Sequence, residues 1–492
     1  MKCKPSVKVN YWSILFLYLG LASVGFFAFD VYFPVFVSAI FLTFISIFFV
    51  VRMKKRKIGI LMPLVWLVCA LPFIHIIPYL WISYEDTELL GLWWGLTVNP
   101  YMQDKEVIEL TGMIVVVTGL GLAFGCSFLS RPSYKGNYPK NLTSEVMTNY
   151  LPVGIWIVWV LIGVLLSWLS APQQNIFNAV YTMSESLIHN SNFASAWTIS
   201  YVILIFGFCD AILDDNIQRK KWKISIFLCA ISFIVIDLQL LRGDRESIPL
   251  VISLILIFFY WSPVKKVSKK INFAWIKWLV VGLILLFITM IVGVMRSELA
   301  EVDGPSSLIE KLIIGVSSGT LGVANLFRGT WTGVALTPLS VAGDNVYGLL
   351  PTKFGSDYLD LIASIIPGFL ADAMGYVRPI DGNRGPAWEM RYGIGGTHYS
   401  VLPFMNFRMI GVFLVAGLTG YLLTLLEFKA LRKRTVESLS LLGIAVMIAP
   451  HWFWYGEKNG INALIIFIII TFFYKLLKTI KYKKIIKNII VR

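Results

Sequence analysis

The chain has 492 residues, of which 57% are hydrophobic and 14% charged, with a formal net charge of +15 and a mean hydropathy of +0.74. Soluble globular domains carry about a quarter of their residues as Asp, Glu, Lys and Arg, so this balance excludes one and describes a polytopic membrane protein. The basic surplus lies in short loops and toward the C-terminal end, where it orients helices and gives no indication of nucleic-acid binding.

A membrane span needs about 20 apolar residues. Runs of that order occur near 11–29, 31–51, 58–83, 107–129, 149–170, 195–213, 224–241, 247–263, 276–295, 401–426, 439–456 and 460–476. They predict an all-α membrane protein of about twelve transmembrane helices. The first run has no convincing small-residue cleavage site and leads almost directly into the second, so no cleavable signal peptide is expected. Five cysteines (Cys3, Cys69, Cys126, Cys209 and Cys229) are scattered, with no metal-type spacing and none between 296 and 400.

The segments between runs alternate in charge. Lys2, Lys4 and Lys8 precede the first, and Arg52, Lys54, Lys55, Arg56 and Lys57 follow the second. Arg131, Lys135 and Lys140 follow the fourth, and Arg219, Lys220, Lys221 and Lys223 the sixth. Lys265, Lys266, Lys269 and Lys270 follow the eighth, Arg432, Lys433 and Arg434 the tenth, and the tail from Lys475 is strongly basic. Cytoplasmic loops concentrate Lys and Arg. Both termini are therefore expected in the cytoplasm and the protein in the cell membrane.

By the same rule 84–106, 171–194, 242–247 and 296–400 face outward. The domains follow: 1–295 holds spans one to nine, 296–400 is a large extracytoplasmic loop, and 401–492 holds spans ten to twelve and the basic tail. Within the loop, Leu308–Phe327 and Tyr358–Tyr376 read as amphipathic or re-entrant helices on the membrane face. Two further spans are the alternative, since inserting both keeps the parity.

The outward segments favour Arg over Lys. Arg242-Gly243-Asp244-Arg245 forms a tight link at a membrane boundary, and Arg378, Arg384 and Arg391 cluster near the Gly-rich end of the long loop. A guanidinium is always charged and can bind two phosphate oxygens at once, so these positions suit a diphosphate. The plainer alternative for the 242–246 link is a hairpin whose own charges pair with each other and with lipid phosphates.

His398, in Gly393-Ile394-Gly395-Gly396-Thr397-His398-Tyr399-Ser400, can accept a proton near neutral pH where glycines let backbone approach a ligand. The alternative is a capping or interfacial histidine. Asp372, Asp381 and Glu389 are further candidate bases, and Asp372 and Tyr399 are placed with the substrate-binding set. No outward Asp-x-Asp, P-loop or nucleophile elbow occurs, so neither a metal nor another cofactor is expected. Asp214 and Asp215 are expected to pair with Arg219 and Lys220 at a cytoplasmic edge, and Asp210 and Asp237 to stand isolated near span ends.

With these residues in view, the chain resembles the Wzy-type oligosaccharide repeat-unit polymerases of O-antigen and capsule synthesis. The resemblance rests on the span count, the single long outward loop before the last spans, and Arg-Gly-x-Arg at 242–245. It rests also on the Gly-rich run ending in Ser400, followed by Asn406-Phe407, Gly411 and Gly417. The sequence departs from similar ones in two places. Arg408 stands where Gly often follows the Asn-Phe pair, and Pro403-Phe404-Met405 stands where an acidic residue is common.

The resemblance implies a metal-independent glycosyltransferase acting outside the membrane on oligosaccharides carried by undecaprenyl diphosphate. Arg242 and Arg245, with Arg378, Arg384 and Arg391, would hold the diphosphate, and His398 would take the acceptor proton. The implied partners are the lipid-linked oligosaccharide, membrane lipids and, in the same pathway, a chain-length regulator and a flippase. A glycan ligase using the same donor is the nearest alternative reading, and a lipid-linked oligosaccharide flippase or transporter a more distant one.

Overall fold

The structure, a computed structural model, describes residues 11–32, 37, 104–128, 150–170, 196–237, 247–261, 316–317, 337–364, 366, 371, 373–376, 398–433, 435–455 and 457–490. Among these every regular element is a helix. Five helices are long and apolar enough to cross a membrane: Lys105–Ser127, Val153–Ser170, Ala196–Leu213, Val401–Glu427 and Gly460–Thr479. Three shorter apolar helices, Trp12–Ala28, Ser247–Phe258 and Val436–Ala449, lie on other predicted runs.

Many of these helices expose apolar side chains rather than burying them. Leu161, Leu165 and Trp168 on one helix, Ile410, Leu414 and Leu418 on another, and Ile468, Ile469 and Phe472 on a third are exposed. A soluble monomer rarely presents so much contiguous apolar surface, but a hydrocarbon solvent accepts it. The predicted runs 58–83 and 276–295, and most of 31–51, lie outside the described residues.

The chain divides into two compact units. The first comprises Met1–Ser133, Trp331–Phe428 and Ile448–Asn462. Its Lys105–Phe128 and Val401–Lys433 helices run parallel, because Gly121 lies against Phe413, Ala416 and Gly417 while Gly125 lies against Gly417 and Tyr421. The Tyr11–Ala28 helix runs opposite to both. Ser13 accepts a hydrogen bond from Ser127 (2.9 Å), Gly20 meets Phe413, and the Phe27 ring meets Phe404 edge-on at 5.9 Å.

Small residues let helix backbones approach closely, which drives association where lipid supplies no hydrophobic contrast. A methyl at Gly125 would overlap the Gly417 carbonyl and stand 2.8 Å from the Tyr421 amide nitrogen. Gly125→Ala is therefore expected to cost about 1–3 kcal/mol by overpacking. Gly154→Ala, where nothing lies within 4 Å, is the control. Thermal unfolding in detergent checks both, with a lowered midpoint expected for Gly125→Ala alone.

The second unit comprises Tyr134–Thr330, Lys429–Met447 and Ala463–Arg492. Its Val153–Ser170 and Ala196–Leu213 helices are antiparallel and joined by side chains that reach across to backbone carbonyls. Trp156 Nε1 donates to Gly207 (2.9 Å), Trp159 Nε1 to Ile203 (2.8 Å) and Ser200 to Gly163 (2.7 Å). On the Glu457–Ile490 helix, Phe467 and Tyr474 pack on Phe206 with ring centroids 5.6 and 5.4 Å away.

A charged network is buried in this unit. Asp210 accepts from the Leu151 amide (3.0 Å), Tyr474 hydroxyl (2.5 Å) and Lys223 ammonium (2.7 Å). Lys223, also fully buried, donates to the Leu151 carbonyl (3.0 Å), pairs with Asp214 (3.0 Å) and lies 5.7 Å from the Trp156 ring centre. Arg219 grips Asp214 with two nitrogens, Nε at 2.6 Å and Nη2 at 2.7 Å. Asp210 is thus not isolated as expected, and the second cation on Asp214 is Lys223 rather than Lys220.

Burial alone would push the Asp214 carboxyl up, but the hydrogen bonds from Arg219 and Lys223 outweigh it and hold the group below the ordinary carboxylate value. The helix carrying these cations, Ile217–Ser232, is started by Asn216, whose side chain accepts from the Arg219 amide (2.9 Å), and it passes into a π-helical turn at Phe233–Asp237.

Of the long segment predicted outside the membrane, two helices are described. One, over 337–346, has no counterpart in the sequence reading. The other, Ser356–Ser364, begins the predicted 358–376 element. Nine residues of α-helix extend about 14 Å, too short to cross about 30 Å of hydrocarbon. Only 316–317 of the predicted 308–327 helix are described.

Candidate functional site

The candidate site is the head of the Val401–Lys433 helix in the first unit. The chain enters it through a turn at His398–Ser400, where the His398 carbonyl accepts from the Val401 amide (3.0 Å) and the Ser400 carbonyl from the Phe404 amide (3.1 Å). Pro403 sits in the first turn, where no intrahelical amide bond is lost.

His398 is completely buried. Its amide donates to Thr337 Oγ1 (3.0 Å), which ties the turn to the 337–346 helix. Its Nδ1 lies 2.6 Å from Ser400 Oγ and faces the Ser400 amide at 3.3 Å. An unprotonated Nδ1 accepts from the Ser400 amide, and a protonated Nδ1 donates to Ser400 Oγ, which leaves Nε2 free of its proton. Tyr399 is also buried, its ring 5.0 Å from that of His398. The 337–346 helix places Thr337, Ser340 and Asp344, all buried, at helical spacing along one face.

Two turns further on the helix breaks. Phe407 (φ −136°, ψ 16°) and Arg408 (φ 54°, ψ −148°) leave helical geometry. The carbonyls this frees are taken by a loop: Lys353 N donates to Met405 O (3.3 Å) and Phe354 N to Asn406 O (3.1 Å).

Asn406, fully buried, completes the junction. Its Oδ1 accepts from the Gly355 amide (2.9 Å), and its Nδ2 donates to Asp357 Oδ2 (3.1 Å) and to the Leu402 carbonyl (2.9 Å). Asp357 also pairs with Lys353 (3.0 Å). Gly355 has φ +93°, and a Cβ there would stand 3.0 Å from the Phe407 ring, so both conformation and space call for glycine.

Arg408 is anchored by the same loop. Its Nε donates to Thr352 Oγ1 (3.1 Å) and its Nη2 to the Leu350 carbonyl (2.6 Å). A side chain at positive φ outside the small left-handed basin costs about 1–3 kcal/mol. Its backbone geometry is one that glycine adopts freely.

Nearby in the chain order of the unit, Asp104 caps the Lys105–Phe128 helix through the Glu106 amide (2.9 Å) and accepts from the Tyr347 hydroxyl (2.5 Å). That hydroxyl, more than the two backbone amides, holds the Asp104 carboxyl below its ordinary value, and the same contact pushes the Tyr347 phenol up.

Of the residues expected to act on substrate, His398 and Tyr399 are placed at the head of this helix. Arg242, Arg245, Arg378, Arg384, Arg391 and Asp372 lie outside the described residues. Lys353, Asp357, Thr337 and Asn406 are site residues that sequence reasoning passed over or discounted. Asn406 had a signal in the Asn-Phe pair, whereas Lys353 and Asp357 had none beyond an i, i+4 charge pair. Compared with known proteins, the chain matches no family model, no curated protein and no solved structure.

Proposed function

We propose that this protein is a polysaccharide repeat-unit polymerase of the cell membrane, joining undecaprenyl-diphosphate-linked oligosaccharides at the outer face. The reading takes the chain as about twelve spans with both termini in the cytoplasm and 296–400 outside. Helix directions within each unit support that alternation. The first span runs against the fourth and tenth, the fifth runs against the sixth, and the charge pattern asks for each of these.

The observation that carries the reading is His398, buried at the head of a membrane helix against Ser400 and Thr337, in a chain whose outward segments choose Arg. In the reaction, a hydroxyl oxygen of the acceptor sugar bonds to the anomeric carbon of the donor chain. The bond from that carbon to the diphosphate oxygen breaks, and the diphosphate leaves on its lipid with the electron pair. His398 takes the hydroxyl proton. Arg242 and Arg245, aided by Arg378, Arg384 and Arg391, stabilise the charge gathering on the diphosphate, and Asp372 and Tyr399 position sugar.

Purified protein given lipid-linked repeat unit alone is expected to produce a ladder of products. Arg242→Ala and Arg245→Ala are each expected to reduce it about 100-fold or more, the usual scale for removing a preorganised donor from a developing oxyanion. A ladder unchanged by both substitutions, at normal protein level, removes the diphosphate assignment. Product that forms only when a different acceptor is added identifies a ligase instead.

A further inference from the structure

The run Arg219-Lys220-Lys221-Trp222-Lys223 is divided by the helix it starts. Arg219 and Lys223, four residues apart, share one face and are committed to the carboxylates of Asp214 and Asp210. Lys221 and Trp222 lie on the outer side and are exposed. Lys220 is half-buried, and burial pushes its ammonium down against the opposing pull of Asp214 and Asp215.

Asp210 brings these cations level with those of another helix. Its carboxylate holds both Lys223 (2.7 Å) and Tyr474 (2.5 Å). Lys220, Lys221 and Lys475 are one to three residues from those anchors, so all lie within a helical turn of the same level. Lys475 is exposed, whereas Lys478 packs over the Tyr474 ring (4.4 Å) and reaches Glu437 (3.8 Å).

Helix directions put apolar surface on one side of that level. Phe206 meets Phe467 and Asp210 meets Tyr474, so Glu457–Ile490 runs with Ala196–Leu213. Phe208 meets Phe227 and Asp210 meets Lys223, so Ile217–Ser232 runs against it. Ile469 and Phe472 precede Lys475, and Leu228 and Phe233 follow Lys221. All four are exposed, and all lie toward the far end of Ala196–Leu213. Ser225 shares the exposed stripe of Lys221 and Leu228, and its hydroxyl donates to the Lys221 carbonyl (3.0 Å), which meets its donor within the helix. Cations and an indole at one depth, with exposed apolar side chains on the membrane side, match a headgroup layer.

We propose that this edge of the second unit binds anionic phospholipid. Lys220, Lys221 and Lys475 hold the charged headgroup beside Trp222, and the acyl chains lie along the exposed stripes of the two helices. The proposed orientation makes this the cytoplasmic leaflet, and the site takes nothing else from the polymerase reading.

The test places the full-length protein in nanodiscs of equal parts phosphatidylglycerol and phosphatidylcholine with matched chains, and measures the lipid retained after transfer to detergent. Wild type is expected to retain phosphatidylglycerol preferentially, and to lose that preference in about 1 M salt. Lys220→Gln/Lys221→Gln/Lys475→Gln is expected to lower the preference about fivefold for each lysine removed, and Lys475→Gln alone about fivefold. Lys54→Gln/Lys55→Gln/Lys57→Gln removes the same charge from another basic loop of the sequence and is expected to leave the preference near wild type.

Equal retention of both lipids by wild type overturns the site. A loss no greater in the first triple variant than in the second also overturns it, since charge anywhere on that side would then suffice. None of these measurements involves polymer formation. A missing product ladder therefore leaves the lipid site standing, and an indifferent lipid preference leaves the polymerase reading standing.

Discussion

Alanine at His398 is expected to lower the rate of ladder formation about 10²–10⁴-fold, the span attributed to a positioned general base. The substitution also opens a hole in a fully buried turn, so rate alone does not separate chemistry from packing. The pH profile does. A base must be neutral to accept a proton, so wild-type activity is expected to fall toward acid pH. The residual activity of His398→Ala is expected to lose that limb.

Ser400→Ala gives a second separation. It removes the 2.6 Å partner of Nδ1 and leaves the ring in place. One neutral hydrogen bond contributes about 0.5–1.5 kcal/mol, so a loss of up to about tenfold is expected, with the folded yield unchanged. Wild-type rates in purified His398→Ala would end the catalytic assignment and leave His398 as the tie between the turn and Thr337.

The largest effect on stability is expected at Lys223. Removing one partner of a buried ion pair typically costs about 3–5 kcal/mol, because the remaining charges are left without compensation. Lys223→Met strips Asp210 of its cation and leaves Asp214 to Arg219 alone. Much of the protein is expected to fail to accumulate, and the remainder to unfold at a clearly lower temperature.

Combining it with Asp210→Asn removes the uncompensated carboxylate. The amide oxygen of that asparagine can still accept from Leu151 and Tyr474, so the double variant is expected to be more stable than Lys223→Met alone. An unfolding midpoint for Lys223→Met equal to wild type would contradict the network's role. The depressed Asp214 carboxyl adds a pH dependence. Its stabilisation is complete above the ordinary carboxylate pKa and is lost as pH falls through the lower folded value.

The five helices long and apolar enough to cross a membrane were legible because a bilayer imposes one length and one polarity on such segments. Charge at the loops called for the first run to oppose the fourth and tenth and the fifth to oppose the sixth, and the contacts within each unit have those directions. The 337–346 helix was not legible, since 337–344 is buried on every side with Thr337, Ser340 and Asp344 mixed among apolar residues, which leaves no periodic polar face. Asp210 looked isolated because its partners Leu151, Lys223 and Tyr474 come from three other parts of the chain.

At the site, the Gly-rich run drew attention to His398, but nothing in the residue types at 407–408 announces a helix break. Arginine is a good helix former.

The glycine seam sets the mechanics of everything above it. Val117, one turn before Gly121, is fully buried and bulky. Sliding the Val401–Lys433 helix by one turn would bring Val117 to where Gly121 now admits the Phe413 carbonyl at 2.5 Å from a Cβ position. The seam is a keyway, and the helix is seated in it from Phe413 downward. The break at Phe407 and Arg408 separates the turn at His398 from that seated shaft, and the loop at Leu350–Gly355 holds the break.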